Sequence, residues 1–190
     1  MKTKINIAAV CMLVCIMSCT KDATKSAATQ SSTSNNSVAS FTIGQAYHGG
    51  IIFYIDNTGN HGLIAATSDQ GTGISWKKTK NVLTGATGNA VGTGLSNTQK
   101  IVAAQGNGNY AASLCLNYES GNFKDWYLPS KKELDLLYQQ RNVVGNLSAT
   151  NYWSSTEATK GKAWDQEFGG GFQFKDDKGF TLNVRAISSF

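Results

Sequence analysis

The segment from residue 126 to residue 157 constrains the fold more than any other part of this chain. It contains Pro129, the single proline of the 190 residues. Proline lacks a backbone N–H and has a fixed φ, so it suits the entrance of a helix. Ser130 and Glu133 follow at the spacing of a capping box, in which each side chain accepts a hydrogen bond from a backbone N–H at the helix start. With apolar residues three and four positions apart, this pattern predicts a helix from about residue 131 to residue 141.

The first 18 residues have the layout of a bacterial lipoprotein signal peptide. Lys2 and Lys4 precede an apolar run over residues 5–17, which is too short to span a bilayer as a helix. The run ends at Ser18-Cys19, and a small residue directly before a cysteine resembles the lipobox. In that class of signals the peptide is removed before the cysteine, which is then acylated. An ordinary signal peptide with an incidental cysteine is the alternative. We expect a lipid anchor on Cys19, which would attach the protein to a membrane.

Residues 19–40 are predicted to be a disordered tether, because they contain almost no large apolar side chains to bury. One folded domain, residues 41–190, follows. Lys21-Asp22 loosely resembles a sorting signal for the outer face of the outer membrane, and a solvated linker explains it equally well. The expected location is the bacterial outer membrane, with a lipid-anchored chain that is either periplasmic or surface-exposed.

Cys115 is the one thiol expected in the mature chain, because Cys11 and Cys15 leave with the signal peptide and Cys19 is acylated. A single cysteine forms no internal disulfide. Its neighbours are alanines and leucines, which indicates a buried apolar thiol and not a nucleophile.

The first part of the domain is predicted to be a β-hairpin. Residues 49–55 are a β-branched and aromatic run typical of a buried central strand, and residues 61–66 are predicted to be its partner. Trp76 is expected to fill an edge of the core. Charged residues make up only 15% of the chain and glycines number 20, a composition that favours many short elements over a helical bundle.

Two helices are predicted after a long glycine-rich loop, at residues 98–105 and 110–118. Residues 92–94 (Gly-Thr-Gly) precede the first helix, where free N–H groups could attract a phosphate. The loop lacks the lysine and the third glycine of a specific phosphate-binding motif. We therefore favour Ser96 or Asn97 as an ordinary N-cap.

The C-terminal region is predicted to be a three-stranded meander with one solvated face. Trp164, Gln166 and Phe168 alternate with Asp165 and Glu167, which is the period of a half-buried strand. The two carboxylates would lie roughly 7 Å apart at ~3.4 Å per residue. That separation suits a glycosidase pair, but an exposed strand face is the favoured interpretation.

Other chemistry is weakly represented in the sequence. His48 and His61 flank the first strand without a third ligand motif, and residues 154–156 lack the glycines of a nucleophile elbow. No basic cluster with interleaved aromatic residues suggests a nucleic-acid partner, and a net charge of +5 predicts no specific partner. We expect no metal, no cofactor, no catalytic residues and no enzymatic activity.

Several blocks taken together resemble one family over about residues 43–190. They are, in order, Ile43-Gly44, Gly49-Gly50-Ile51-Ile52-Phe53-Tyr54, His61-Gly62-Leu63-Ile64-Ala65-Ala66, Gly92-Thr93-Gly94, Asn97-Thr98, Asp125-Trp126-Tyr127-Leu128-Pro129-Ser130, Glu133-Leu134, Tyr152-Trp153-Ser154-Ser155-Thr156-Glu157, Ala163-Trp164, Phe168 and Val184-Arg185-Ala186. The family that they resemble is the Lcl C-terminal domain, named for the tip of a collagen-like bacterial adhesin.

The resemblance implies an α+β, C-type-lectin-like fold, with two to three helices flanking short antiparallel β-sheets and long loops that present a ligand surface. Mapped onto this chain, the ligand-presenting block runs from residue 152 to residue 178, and Trp153 and Trp164 are expected to form the scaffold beneath it. The exposed ligand-binding positions expected in that block are Asp165, Glu167, Gly170, Phe172, Phe174, Lys175 and Asp176. The block lacks the motifs of calcium-dependent sugar lectins.

Three classes of function follow from these observations. The first is a membrane-anchored lipoprotein whose lectin-like domain recognises an extracellular glycan or protein. The second is an enzyme, either hydrolytic or resembling the formylglycine-generating enzymes, although those use a cysteine pair. The third is a structural component of fimbriae or of the envelope.

Overall fold

The computed structural model describes residues 40–190. The predictions for the signal peptide, for acylation of Cys19 and for the tether up to residue 39 lie outside the described residues. Within the part that is described, no helix has the length and apolar character needed to cross a membrane.

This part of the chain combines four short helices with two β-sheets, so the predicted α+β class is confirmed. The helices are α1 (Gly94–Gln105), α2 (Ala111–Leu116), α3 (Lys131–Gln139) and α4 (Arg141–Val144). The strands are β1 (Ala46–Tyr47), β2 (Gly50–Ile55), β3 (Gly62–Ala66), β4 (Gly71–Ser75), β5 (Asn151–Glu157), β6 (Lys162–Glu167), β7 (Gln173–Asp177), β8 (Thr181–Val184) and β9 (Ile187–Ser189).

The first sheet has the strand order β1-β2-β3-β9 and contains the predicted hairpin. β2 and β3 pair antiparallel with Ile52 opposite Ile64, and β9 pairs antiparallel with β3 through Ile187 opposite Ala65. The C-terminal strand therefore closes the sheet that the first strands of the domain begin.

The second sheet has the strand order β4-β8-β5-β6-β7, so the predicted three-stranded meander is wrong. β5 lies between β8 and β6, and it pairs parallel with β8 at Tyr152 opposite Asn183. The residues of β5 from Tyr152 to Glu157 are all buried, and a strand of this kind is favoured at the centre of a sheet, where both of its edges are paired. β7 is left as an edge strand.

The last predicted strand is divided between the two sheets. β8 ends at Val184, and the chain crosses to the first sheet as β9. Arg185 lies at the crossing, where its side chain is buried and donates to Asp69 Oδ1 at 2.7 Å and to the carbonyl of Ala66 at 2.8 Å. Because Arg185 is buried between Val184 and Ala186, the alternation of buried and exposed residues that the sequence suggests for one continuous last strand stops here.

The helix predictions are confirmed except at the start of α1. α3 has the expected capping box, with Ser130 as N-cap and Glu133 at N3. α1 begins at Gly94 with Thr93 as N-cap and no side-chain capping bond, so the prediction of Ser96 or Asn97 is wrong. Asn97 is instead buried, and its amide nitrogen donates to the carbonyl of Gly88 at 2.6 Å.

The core contains the aromatic residues that the sequence places in it. The indole N–H of Trp76 donates to the carbonyl of Ser154 at 2.8 Å, and that of Trp153 donates to the carbonyl of Ile74 at 2.9 Å. Cys115 is a free, buried cysteine as predicted, and burial raises the pKa of its thiol well above the usual value.

Candidate functional site

A cleft of about 570 Å³ opens between the start of α3 and the turn that joins β6 to β7. A volume of this size is typical of pockets for small ligands. The side chains that matter most for its chemistry belong to Asn89, Lys131, Lys132, Asp135, Phe172 and Gln173.

The capping box of α3 holds the loop that forms one wall of this cleft, which includes Ala90. The backbone N–H of Ser130 donates to Glu133 Oε2, and that of Gly92 donates to Glu133 Oε1, both at 2.7 Å. Ser130 Oγ also donates to the carbonyl of Ala90 at 2.8 Å. Glu133 is buried, and burial raises the pKa of its carboxyl group although these backbone hydrogen bonds oppose the shift. The glycine-rich loop is thus held against the start of α3.

Two glutamines join the other wall to α3. Gln173 Nε2 donates to the carbonyl of Lys131 at 3.0 Å and to Gln166 Oε1 at 3.1 Å. Gln166 Nε2 donates to the carbonyl of Gly171 at 3.0 Å and to Asp135 Oδ1 at 3.2 Å. Strand β7 and the preceding turn therefore have defined positions relative to the helix, which makes the cleft a preformed feature.

Trp164 lies at the centre of a positively charged surface beside the cleft. Lys131 Nζ is 3.5 Å from the centroid of its ring, and Lys175 Nζ is 4.9 Å from it. These are cation–π distances. Among the described residues, neither lysine forms an ion pair with a carboxylate. The surface can therefore attract an anionic group of a ligand.

Asp135 provides a negative charge on the floor of the cleft. It accepts hydrogen bonds from Lys132 Nζ at 2.8 Å and from Gln139 Nε2 at 3.0 Å. Burial acts to raise the pKa of Asp135, but the bonds from Lys132 and Gln166 outweigh it and lower the pKa below its usual value. This carboxylate neutralises Lys132, so Lys131 and Lys175 carry the free charge.

Four of the seven predicted ligand-binding residues are exposed. Phe172 is 67% exposed and lines the cleft, and Phe174 is 45% exposed on the other face of β7. Gly170 and Lys175 are exposed, and Asp176 is half-buried. Of these, the structure brings Phe172 to the cleft and Lys175 to its border with Trp164.

The expected exposure of Asp165 is wrong. Asp165 is only 1% exposed, because Trp153 on β5 and Phe174 on β7 lie directly opposite it on the same sheet face. Asn151 Nδ2 donates to Asp165 Oδ2 at 2.7 Å, and burial raises the pKa of Asp165 to about 6.

Glu167 also differs from its predicted role. It is half-buried, and its two carboxylate oxygens accept hydrogen bonds of 2.6 Å from the backbone N–H groups of Gly169 and Gly170. Glu167 therefore holds the β6–β7 turn, and its carboxylate is already occupied.

Trp164 and Lys131 are the residues of this surface that sequence reasoning missed. Trp164 was expected in the scaffold, yet it is only half-buried. The strand register places Lys175 opposite Trp164, and alternation could have shown that the two share a face. Nothing in the local sequence could have placed Lys131 over the same ring, because it comes from a different element.

The two histidines have unrelated surroundings. His48 stacks between Tyr47 and Phe123, with ring centroids 3.8 and 4.3 Å away. His61 lines a second cleft together with Tyr54 and Asp56. In residues 40–190, no group of three or more histidine, cysteine, aspartate or glutamate side chains is arranged to hold a metal ion.

Comparison with known proteins gives one family match. A family model described as the Lcl C-terminal domain matches residues 65–188, a range that runs from β3 to β9 and includes every residue named in the cleft. No curated protein matches the chain.

Proposed function

The chain belongs to the Lcl C-terminal domain family, and we propose that it is a membrane-anchored bacterial lipoprotein whose lectin-like domain recognises a glycan or protein ligand at the cell surface. The observation that carries this proposal is the cleft beside α3, which is lined by an exposed Phe172 and by Lys131, with Lys175 beside Lys131 over the Trp164 ring. An accessible aromatic ring next to oriented charges is a common arrangement in binding surfaces.

The residues of the proposed ligand site divide by chemistry. Phe172 offers an apolar face that can stack on a sugar ring or fill a pocket in a protein. Lys131 and Lys175 offer positive charge that can orient an acidic group. The hydrogen bonds of Gln173 to the Lys131 carbonyl and to Gln166 hold strand β7 against α3 before a ligand arrives. This preorganisation lowers the entropic cost of binding.

Binding without catalysis is the form of activity that we propose. The buried thiol of Cys115 is poorly suited to nucleophilic chemistry. Asp165 and Glu167 are the carboxylates that could suggest a glycosidase. Asp165 is buried, and the carboxylate of Glu167 already accepts hydrogen bonds from the β6–β7 turn. Neither arrangement supports the enzyme alternative.

The ligand site can be tested with the purified full-length chain on a glycan array and in pull-downs with surface proteins. We expect Phe172→Ala to lower affinity for any captured ligand by at least about tenfold, as for a central aromatic contact. Phe180→Ala is the matched control, because Phe180 is 55% exposed but lies outside the cleft. Equal losses in the two variants would show that the cleft is not the ligand site.

The membrane anchor needs a separate test, because it rests on the sequence around Cys19. We expect the wild-type chain to fractionate with membranes and to incorporate labelled fatty acid. Cys19→Ser should abolish both properties, since serine has no thiol to acylate. Fatty-acid labelling that persists in the Cys19→Ser chain would contradict this part of the proposal.

A further inference from the structure

Strand β7 forms an edge of the second sheet, and part of its backbone points away from that sheet. The backbone N–H of Glu167 donates to the carbonyl of Phe172 at 2.9 Å, so the carbonyl of Phe172 is directed toward β6. Residues along an antiparallel pair alternate between hydrogen-bonded and non-hydrogen-bonded positions. Gln173 and Lys175 therefore direct their backbone groups to the outer side of β7.

Most of these outward backbone groups are free. Within residues 40–190, the N–H and carbonyl of Gln173 and the N–H of Lys175 have no hydrogen-bond partner, and the carbonyl of Lys175 accepts from Lys162 Nζ at 3.3 Å. The two free N–H groups are roughly 7 Å apart at ~3.4 Å per residue, which is the main-chain repeat of a strand. An exposed edge of this kind is a template for one more strand.

The two faces of β7 differ in chemistry along this edge. Lys175 lies on the face of Trp164, and both Lys131 Nζ and Lys175 Nζ lie at the ring of that tryptophan. Phe174 lies on the opposite face and is 45% exposed. A strand added to β7 would therefore meet positive charge on one face and an aromatic surface on the other.

The free edge ends at the C-terminal part of β7. The carboxylate of Asp177 lies 3.9 Å from Lys77 Nζ, and its carbonyl accepts the backbone N–H of Phe180 at 2.9 Å. Residues 172–175 are thus the segment that remains open to a partner.

We propose that β7 binds an extended segment of a partner protein as an additional strand. Acidic side chains of that segment would lie on the face of Lys131 and Lys175, and apolar side chains would lie on the face of Phe174. This inference rests on the proposed function of ligand recognition, and it selects a protein over a glycan because the free backbone groups repeat at the spacing of a polypeptide strand.

This chain itself offers poorer occupants for the edge. In a symmetric antiparallel pair of β7 strands, opposite residues share a face, so Lys131 and Lys175 of both copies would lie on the same side and repel each other. Residues 20–39 contain one acidic residue, Asp22, and one large apolar residue, Val38. They cannot supply alternating acidic and apolar side chains.

A fluorescein-labelled six-residue peptide of alternating glutamate and valine tests the edge of the full-length chain, with binding measured by fluorescence anisotropy. We expect this peptide to bind at least about tenfold more tightly than one with lysine in place of glutamate, because Lys131 and Lys175 repel the second peptide.

Methylation of the peptide backbone separates strand addition from charge attraction and leaves the protein unaltered. Opposite residues of a strand pair share a face, so the glutamates direct their N–H groups to Gln173 and Lys175, whereas the valines direct theirs to solvent. N-methylation of the glutamates should weaken binding at least about tenfold, and N-methylation of the valines should leave it nearly unchanged.

Variants and hydrogen exchange locate the peptide. Lys175→Glu should weaken binding at least about tenfold, and Lys124→Glu should have no effect because Lys124 is exposed outside the helices and strands. Bound peptide should slow exchange of the amide hydrogens of Gln173 and Lys175 at least about tenfold.

The proposal is overturned if the glutamate–valine peptide does not bind, or if its two N-methylated forms bind alike. Glycan capture that depends on Phe172, without peptide binding, would overturn this inference alone. A chain that captures neither glycan, protein nor peptide would contradict the proposed function as well.

Discussion

Lys178 Nζ lies 2.5 Å from Glu157 Oε1, and both side chains are almost completely excluded from solvent. Lys178 Nζ also donates to the carbonyls of Val82 and Lys160, at 3.0 and 3.1 Å. Glu157 accepts the backbone N–H of Thr84 at 3.0 Å. The ion pair therefore fastens the long loop before α1 to the second sheet.

Replacing Lys178 should destabilise the domain severely. In Lys178→Met the carboxylate of Glu157 stays buried without its cation, and we expect a loss of about 3–5 kcal/mol in the free energy of unfolding. Urea denaturation measures this loss. The double variant Lys178→Met/Glu157→Gln should recover part of it, because glutamine removes the buried charge and keeps an acceptor for the loop.

Lys80→Met is the matched control, because Lys80 is exposed. Its effect should stay within about 0.5 kcal/mol. A Lys178→Met chain as stable as Lys80→Met would show that the buried pair contributes little.

Gly171→Ala should disturb the turn that presents Phe172. Gly171 has a φ of +85°, and a Cβ atom there would lie 2.5 Å from Cε1 of the Tyr138 ring. We expect a loss of stability well above the roughly 1–2 kcal/mol that an L-residue costs in this backbone region. Thermal and urea unfolding provide the measurement.

Gly59→Ala separates the two causes, because Gly59 has a φ of +75° and open space around it. It should show the backbone cost alone. If the two alanine variants lose equal stability, the contact with Tyr138 adds nothing to the cost of a side chain at residue 171.

Asp135 should make a pH-dependent contribution to stability. Hydrogen bonds lower the pKa of the folded Asp135 carboxyl below its usual value. Its contribution to stability is therefore complete above the pKa of the unfolded chain and is lost as pH falls through the folded pKa. We expect Asp135→Asn to cost about 0.5–1 kcal/mol at pH 7, discounted for partial exposure, and less than that at pH 3.

Urea denaturation of both chains at the two pH values measures this difference. Glu119→Gln is a control in an exposed ion pair with Lys124. A cost for Asp135→Asn that is as large at pH 3 as at pH 7 would argue against a charge-dependent role.

Cys115 should react with alkylating reagents only after unfolding. It is buried, and burial raises the pKa of its thiol, so both access and thiolate content are low. We expect iodoacetamide at pH 8 to label the native protein at least roughly 100-fold more slowly than the urea-unfolded protein. Mass spectrometry of the peptide that contains Cys115 follows the labelling. Native labelling at the rate of free glutathione would contradict the buried assignment.

Features that depend on neighbouring residues could be predicted from the sequence. The capping box at Ser130 and Glu133 formed as expected, because the donors and acceptors are three residues apart. The β2–β3 hairpin formed because its two apolar runs are separated by a short turn. The exposure of Phe172 was also predicted, but only through the resemblance to a family.

Asp165 shows where such reasoning fails. Alternation along β6 correctly places Asp165 and Gln166 on opposite faces. It cannot tell which side chains of neighbouring strands will pack beside Asp165 on its face. The insertion of β5 between β8 and β6 decides this, because it brings Trp153 next to Asp165. Strand order is a non-local property, and β5 is parallel to β8 through residues 31 positions apart.

The sequence by itself determined the short-range elements of the described domain: the capped start of α3, the first hairpin, the buried thiol and the family to which the chain belongs. Only the tertiary structure decided that Lys131 and Lys175 meet over Trp164, that Glu167 holds a turn and that Asp165 is buried. The physical reason is that hydrogen bonds and side-chain periods act over a few residues. Burial and charge pairing, in contrast, depend on which distant segments pack together.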